Sequence, residues 1–354
     1  MHLVSQTELT ALPYRPAFPE NRWELGIGIV GCGQVAKKWH LTAYRKYNLK
    51  VAGVYDISPA AREALRKQYD GLRVFQSLDE LLSDPEVQIV DVATRPPDRL
   101  GVIRQALKHG KHILAQKPVA MSSEDAKLIS KEAVECDVRV AVNQNGRWAP
   151  PWRLAHLLTE AGAVGDVQCV THLYDTRMIW KPNPRHGSEH FLIFDYSSHW
   201  IDITRCWLQH KKITSIRAQE YRTPVQLEEG QVSQAMWISM EYEDGTSALI
   251  RGVACASSHG GHPFWIHGSN GTIRGSVDDR SGDYIELENE GGRIRYEIEG
   301  KWFPDGFAGA MGELMLAIVE NREPSNSISN NLLTLEMLFG ACRSVEEGGA
   351  VVLL

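Results

Sequence analysis

Short apolar runs recur along the first 150 residues of the chain, separated by stretches whose apolar positions follow a helical period. The runs are LGIGIV, KVAGVYD, LRVFQ, VQIVDVAT, KHILAQ and VRVAVN. Helical stretches are expected over 35–46, from Ser58-Pro59 to about 70, and near 78–83, 98–109 and 122–136. Ser58 before Pro59 reads as an N-cap followed by proline in the first turn. Ser122 with Asp125 is close to a capping box. Six near-continuous apolar strands alternating with helices predict a doubly wound parallel sheet covered on both faces, an α/β Rossmann-type domain.

After about residue 150 the period changes to two. QVSQAMWISMEYE and TSALIRGVACA meet at Asp244-Gly245, HPFWIHG and TIRGSV at Asn270-Gly271, and DYIELEN and RIRYEIEG at Gly291-Gly292. These dipeptides supply the positive φ angles of tight hairpins. With helices expected near 150–161, 195–208, 307–320 and 329–347, the second half reads as an α+β domain on a large, mostly antiparallel sheet. Residues 1–24, with Pro13, Pro16 and Pro19, read as an extended arm, loose or laid on another surface. The expected organisation is therefore an arm (1–24), a dinucleotide-binding domain (25–146) and a substrate-binding and oligomerisation domain (147–354). No internal repeat or low-complexity tract interrupts it.

Composition narrows the classes. A chain of 354 residues that is 43% hydrophobic has enough apolar surface for about two cores. A net charge of −6 argues against a nucleic-acid partner. No apolar run approaches the roughly 18–20 residues of a membrane span, and the N-terminus lacks the charged-then-apolar pattern of a secretory leader. The six cysteines are scattered without a CxxC, so reduced thiols and a cytoplasmic location are expected.

The first chemical signal is Gly31-Cys32-Gly33-Gln34-Val35-Ala36, a G-x-G-x-x-A string between a predicted strand and a predicted helix. That context matters more than the string. The first glycine permits the tight turn, the second lets backbone approach a pyrophosphate, and the helix N-terminus offers N–H groups to phosphate. Asp56 ends the next strand 25 residues after Gly31, near the spacing of a carboxylate that bonds ribose hydroxyls. It would repel a 2′-phosphate, which favours NAD over NADP, while Arg62 nearby leaves NADP open.

Several further motifs in order identify the chain as similar to the Gfo/Idh/MocA family, the glucose–fructose oxidoreductase and inositol dehydrogenase group. They are IGIVGCGQVAKKWHLTAY, ATRPPD, ALKHGKHILAQKP, VNQNGRWAP, DYSSHWID, HGSNGTI and the segment from EPSNS to the end. The resemblance runs from about residue 25 onward. It implies that Lys117, in Gln116-Lys117-Pro118, stands where the family's motif lysine bonds the substrate oxygen, its proline peptide bond often being cis. Gln116 departs from the usual Glu, which removes a negative neighbour, predicts a lower lysine pKa and changes the local hydrogen bonding. The Asp-x-x-x-His pair becomes Asp195 and His199, four apart and so stacked on one helical face. His199 is assigned as the base that takes the hydroxyl proton, with Asp195 bonding sugar hydroxyls or orienting the imidazole. Asp202 is either a supporting group behind them or a helix-surface acid.

Thr94 and Pro96 are expected on the nicotinamide ribose side. Asn145 and Arg147, after the sixth strand, are expected against cofactor or substrate, with Asn145 assigned to the cofactor and Arg147 to the substrate. Tyr174, Arg177 and Trp180, in or just after the first strand of the second domain, are expected to shape the sugar pocket. Leu100 stands near the place of a family histidine, and His40 is read as either familial or structural. Ten tryptophans are mostly core, each with a minor chance of packing on a sugar face. His259, His262 and His267 surround a Gly-Gly turn without the spacing of a metal site, and no metal is expected. Cys32 reads as a small residue beside the pyrophosphate rather than a redox group.

The function implied is oxidation of a secondary hydroxyl of a sugar, sugar derivative or cyclitol by hydride transfer to NAD. Two variants and one other class stand beside it. The cofactor is held tightly and cycled between two sugars, as the N-terminal arm suggests; transient oxidation serves glycoside cleavage; or the chain is a non-catalytic dinucleotide sensor, against which the joint presence of Lys117, Asp195 and His199 argues. Family habit implies a homodimer or homotetramer.

Overall fold

The computed structural model describes residues 11–176, 190–222, 233–256 and 260–354. In chain order the elements are β1 (Ile27–Val30), a π-turn (Ala36–His40) leading into α1 (Leu41–Lys46), β2 (Val51–Tyr55), α2 (Pro59–Gln68), α3 (Leu78–Ser83), β3 (Ile89–Val92), α4 (Pro96–Lys108), β4 (His112–Gln116), α5 (Ser123–Glu135) and β5 (Val140–Asn143). There follow α6 (Pro150–Glu160), β6 (Val167–Asp175), a π-turn (Leu192–Tyr196), α7 (Ser198–Trp207), β7 (Ile213–Tyr221), β8 (Ala235–Tyr242), β9 (Ser247–Val253), β10 (His262–Gly268), β11 (Gly271–Val277), β12 (Tyr284–Asn289), β13 (Gly292–Glu297), α8 (Phe307–Val319), α9 (Ile328–Glu346) and β14 (Val352–Leu353). The chain divides into two units. One holds Arg15–Trp148 with Phe303–Leu333, the other Met1–Tyr14, Ala149–Trp302 and Thr334–Leu354.

The first unit carries a parallel sheet in the order β2-β1-β3-β4-β5. β1, β3 and β5 are buried at every position, which is why these strands read as near-continuous apolar runs, broken by Asp91 in β3 and Asn143 at the end of β5. Ser58, Ser77 and Ser122 cap α2, α3 and α5 by accepting a backbone N–H three residues on. The third of the six expected strands, LRVFQ, is not a member of the sheet. Val74 makes one parallel bridge to Val54, and Phe75 is buried. Ser77 then starts the next helix, leaving no length for a ladder.

Residues 303–333 were expected in the second domain; the structure groups them with the first unit. Phe307, Met311 and Leu314 of α8 join Ile29, Tyr44, Leu114 and Trp148 in one core. A chain that leaves a domain and returns 150 residues later gives no local sign of doing so. Part of the arm lies here too, with Phe18 against Tyr47 at 5.2 Å between ring centroids.

The second unit carries nine strands in the order β13-β12-β11-β10-β6-β9-β8-β7-β14. Neighbours are antiparallel except β6 and β9, and the three expected hairpins fall at their dipeptides. β8 and β9 alternate buried and less buried positions, so one face is covered. Trp152 of α6 and Trp200 and Trp207 of α7 are buried. Trp207 stacks on His172 at 5.0 Å, and burial drives that histidine down to about 3. Among the described residues, no helix is long and apolar enough to cross a membrane.

Candidate active site

The glycine loop is built as a cradle in the first unit. Gly31 has φ 107°, and a Cβ there would stand 2.8 Å from the Ala93 carbonyl oxygen, so only glycine fits the turn. At Gly33 a Cβ would meet nothing within 4 Å. That leaves open space beside the turn. Gln34 and Val35 are exposed beside it. Asp56 braces the loop, its Oδ2 accepting the Cys32 N–H at 2.7 Å and its Oδ1 the Ser58 N–H at 2.8 Å. Arg62 donates to the Asp56 carbonyl at 2.5 Å. Burial, with help from the Asp56 charge, pushes the Cys32 thiol up to about 12, so it is a neutral packing group at ordinary pH.

At the carboxyl ends of the strands, the protein leaves buried polar atoms without hydrogen-bond partners. These are the Thr94 hydroxyl after β3, both polar atoms of the Asn143 amide at the end of β5, and Gln144 Oε1. Asn143 is fully buried and in register with Gln116 of β4. Such atoms are costly unless something bonds them. With the open cradle at Gly33 they fit a dinucleotide laid across these strand ends. Asn143 and Gln144 were missed by sequence reasoning, which looked past them to Asn145 and Arg147. Those two lie buried in the 3-10 turn Asn145–Trp148, and Arg147 donates to the Ser325 carbonyl at 2.7 Å.

Lys117 follows β4 directly, and the Lys117–Pro118 bond is cis. Two networks fasten this loop. Arg99 of α4, 2% exposed, donates to the Thr94 carbonyl at 2.6 Å and to the Pro118 carbonyl. Gln116 donates from its amide nitrogen to His40 Nε2 at 2.7 Å, and its Oε1 accepts the Lys117 N–H at 3.2 Å. Arg99 was also missed. In PPDRLG it reads as a helix-surface cation, one residue before the leucine at the family histidine's place. Pro96 opens α4 in its first turn.

In the second unit, Asp195 lies in the π-turn Leu192–Tyr196, and His199 is the second residue of α7. The pair therefore does not sit on one regular α-helix, because the π-turn alters the angle between them. His199 is 9% exposed, its ring edge-on to Trp302 at 5.2 Å. Asp202 is not a surface acid; it is 1% exposed, accepts the Thr334 hydroxyl at 2.7 Å and faces Arg205 at 3.6 Å. Tyr174 is fully buried, with its hydroxyl 3.0 Å from Ser197 Oγ and its ring 4.4 Å from Trp200. It contributes by seating the start of α7, since no face of it is open to a sugar. Arg177, Trp180 and His259 lie outside the described residues. Among the described residues, no group of three or more His, Cys, Asp or Glu is arranged to hold a metal.

Residues 25–144 match the model of the oxidoreductase family with an NAD-binding Rossmann fold, and residues 152–274 match that of the GFO/IDH/MocA C-terminal domain. The chain belongs to the Gfo/Idh/MocA oxidoreductase family. Its first unit is thus an NAD-binding Rossmann domain. Among relatives, an uncharacterized oxidoreductase of Schizosaccharomyces pombe is 31% identical over 173 residues, 46% of each protein, so the chain spans about half of that relative's length. A D-apiose dehydrogenase of Paraburkholderia graminis is 23% identical over 345 residues, 92% of this chain and 88% of that one. An Agrobacterium radiobacter oxidoreductase solved with NAD+, L-tartaric acid and magnesium superposes with TM-score 0.82 at 21% identity, covering 93% of this chain and 98% of the other. At that identity the likeness establishes the fold.

Proposed function

We propose that this Gfo/Idh/MocA chain is an NAD-dependent dehydrogenase that oxidises a secondary hydroxyl of a sugar, sugar derivative or cyclitol. The observation that carries the reading is Lys117 fastened at the carboxyl end of β4, in the same unit as the open glycine cradle and the unpartnered Asn143 amide. Relatives named D-apiose dehydrogenase and inositol 2-dehydrogenase support the substrate class.

Bound NAD supplies the hydride acceptor; the chain supplies binding, orientation and proton handling. Gly31, Gly33, Gln34 and Val35 form the pyrophosphate turn, Asp56 faces the ribose, and Thr94, Pro96, Gln116 and Asn145 line the nicotinamide side. Lys117 bonds the substrate oxygen and stabilises alkoxide character as it develops. His199 takes the hydroxyl proton at an imidazole nitrogen. Asp195 and Arg147 hold the sugar's other hydroxyls. The protein acts as a homodimer or homotetramer in the cytoplasm.

The test is formation of NADH by the purified protein with NAD or NADP and a panel of aldoses, sugar acids, inositols and anhydro-sugars. A rate with one substrate and NAD is expected. His199→Ala should abolish that rate while leaving NAD affinity near normal, and a surviving rate would remove His199 from the role of base. Silence across the panel with cofactor still bound after purification would instead favour the closed sugar-to-sugar cycle.

A further inference from the structure

Behind the Lys117 loop, the first unit buries a chain of four polar side chains. The Tyr44 hydroxyl donates to Asp91 Oδ2 at 2.6 Å, and the same oxygen lies 2.5 Å from His40 Nδ1. His40 Nε2 lies 2.7 Å from the Gln116 amide nitrogen, and Gln116 Oε1 accepts the Lys117 N–H at 3.2 Å. Tyr44, Asp91 and His40 are fully buried and Gln116 is 8% exposed. The Phe307 ring packs edge-on against the imidazole at 4.8 Å. Burial and then the Asp91 charge raise the Tyr44 hydroxyl well above its ordinary range, so it stays a donor.

We propose that Tyr44, Asp91 and His40 are positioning residues that hold Gln116, and through it the start of the Lys117 loop, and that an amide at 116 is what their donor-to-acceptor direction requires. The inference rests on the reading of Lys117 as the residue that meets substrate. The direction follows from chemistry. An ionised Asp91 only accepts, so His40 Nδ1 carries a hydrogen; the other nitrogen of a neutral imidazole then only accepts. Gln116 must offer its NH2 there. Independently, the Lys117 N–H needs an oxygen, and the amide has one on its other side. Both requirements select the same amide orientation. A doubly protonated His40 would demand the oxygen at Nε2, turning the NH2 onto the Lys117 N–H, donor against donor. A carboxylate at 116 would set acceptor against acceptor at Nε2 and add a second buried charge.

The test reverses the direction. In Asp91→Asn the imidazole loses its fixed acceptor at Nδ1. In Gln116→Glu it meets an acceptor at Nε2. In the double variant the order runs backwards along His40 and residue 116, and the Tyr44 hydroxyl, which donates to that same Asp91 oxygen in the wild type, turns to accept the second N–H of the asparagine. The asparagine NH2 donates to Nδ1, Nε2–H donates to the new carboxylate, whose second oxygen still accepts the Lys117 N–H, and one buried carboxylate remains. The readout, on the full chain loaded with NADH, is the 13C resonance of reductively methylated Lys117, assigned by its absence in Lys117→Arg, together with the melting temperature. Each single variant should shift that resonance and lower the melting temperature by several degrees, and the double variant should return both toward wild type. Additive losses in the double variant would overturn the assigned direction. An unmoved Lys117 resonance in singles that melt early would overturn positioning and leave a merely structural network. Tyr44→Phe removes one donor and keeps the ring; should Asp91→Asn not fold, it must move the resonance or the proposal fails. The reading of Lys117 fails separately, if Lys117→Met still reduces NAD with a sugar or inositol that wild type oxidises.

Discussion

On the proposed reading Asp56 has two jobs, and its substitution separates them. The sequence suggests a carboxylate that faces ribose and repels a 2′-phosphate. The structure adds that both of its oxygens already accept backbone N–H groups, from Cys32 in the glycine turn and from Ser58 at the start of α2. A hydrogen bond to an ionised partner contributes about 1.5–3 kcal/mol. The site is half-buried, so we take the lower end and expect Asp56→Ala to cost about 2–3 kcal/mol for the two. Asn keeps one acceptor and turns its NH2 on the other donor, so Asp56→Asn should cost at least half of that. At roughly 2–4 °C per kcal/mol for a unit of this size, the alanine variant should melt about 5–10 °C lower. Two unit charges about 5 Å apart at an effective dielectric of 20 repel by about 3 kcal/mol, and salt reduces this at an exposed site. Relief of that repulsion taken alone would favour NADP by roughly 10–100-fold. The loosened glycine turn opposes it, because the same N–H array must receive the pyrophosphate of either cofactor. Calorimetric titration of Asp56→Ala should therefore show NAD binding weakened at least about 10-fold and NADP binding improved by no more than a few-fold. A 100-fold gain for NADP with an unchanged melting temperature would refute the bracing role and leave Asp56 a ribose contact alone.

Three further outcomes follow from other sites. Gly252→Ala would put a Cβ 2.0 Å from the fully buried Tyr174 ring, so overpacking should destabilise the second unit by about 3 kcal/mol or more, read as an early unfolding transition in urea. Cys32, raised by burial from 9.0 to about 12, should resist iodoacetamide at pH 8 while exposed Cys136 is alkylated; because the unfolded thiol ionises first, stability should fall from pH 9 toward 12, less steeply in Cys32→Ala. At Glu286 burial opposes the charge, yet Arg274, Arg293 and Arg295 together bring the carboxyl down to about 2. Its contribution is present above pH 4.5 and lost as pH falls through 2, so Glu286→Gln should flatten that part of the acid unfolding curve.

What the sequence made legible is what local chemistry determines. Hairpin dipeptides are local signals, and the three sit at three observed turns, with positive φ at Gly245 and Gly292 and at neither Asn270 nor Gly271. The glycine cradle reads for the same reason, since strand, turn, helix and acid follow one another within thirty residues. LRVFQ failed because a five-residue run carrying Leu72, Val74 and Phe75 looks alike whether it extends a sheet or makes one bridge to it. The π-turns at Ala36–His40 and Leu192–Tyr196 also escape a period-based reading, because one extra residue in a turn leaves the apolar pattern nearly intact.

The polar residues that fasten the candidate site escaped for a deeper reason. Arg99 looks like any helix cation, and its burial depends on where the Pro118 and Thr94 carbonyls arrive from other parts of the chain. Asn143 looks like the end of a strand. Asp91 did leave a mark. An ionisable residue in the middle of VQIVDVAT, a run buried at every position of β3, must find donors inside the protein or unfold it. Reading that run as strand alone passes over the obligation. His40, which ends the π-turn after the glycine loop, and Tyr44, in α1, are the donors that reach Asp91 from outside the strand. Both donors gather on Asp91 Oδ2 while Oδ1 is buried without a partner, and through that one oxygen the segment after the glycine turn is tied to the Lys117 loop.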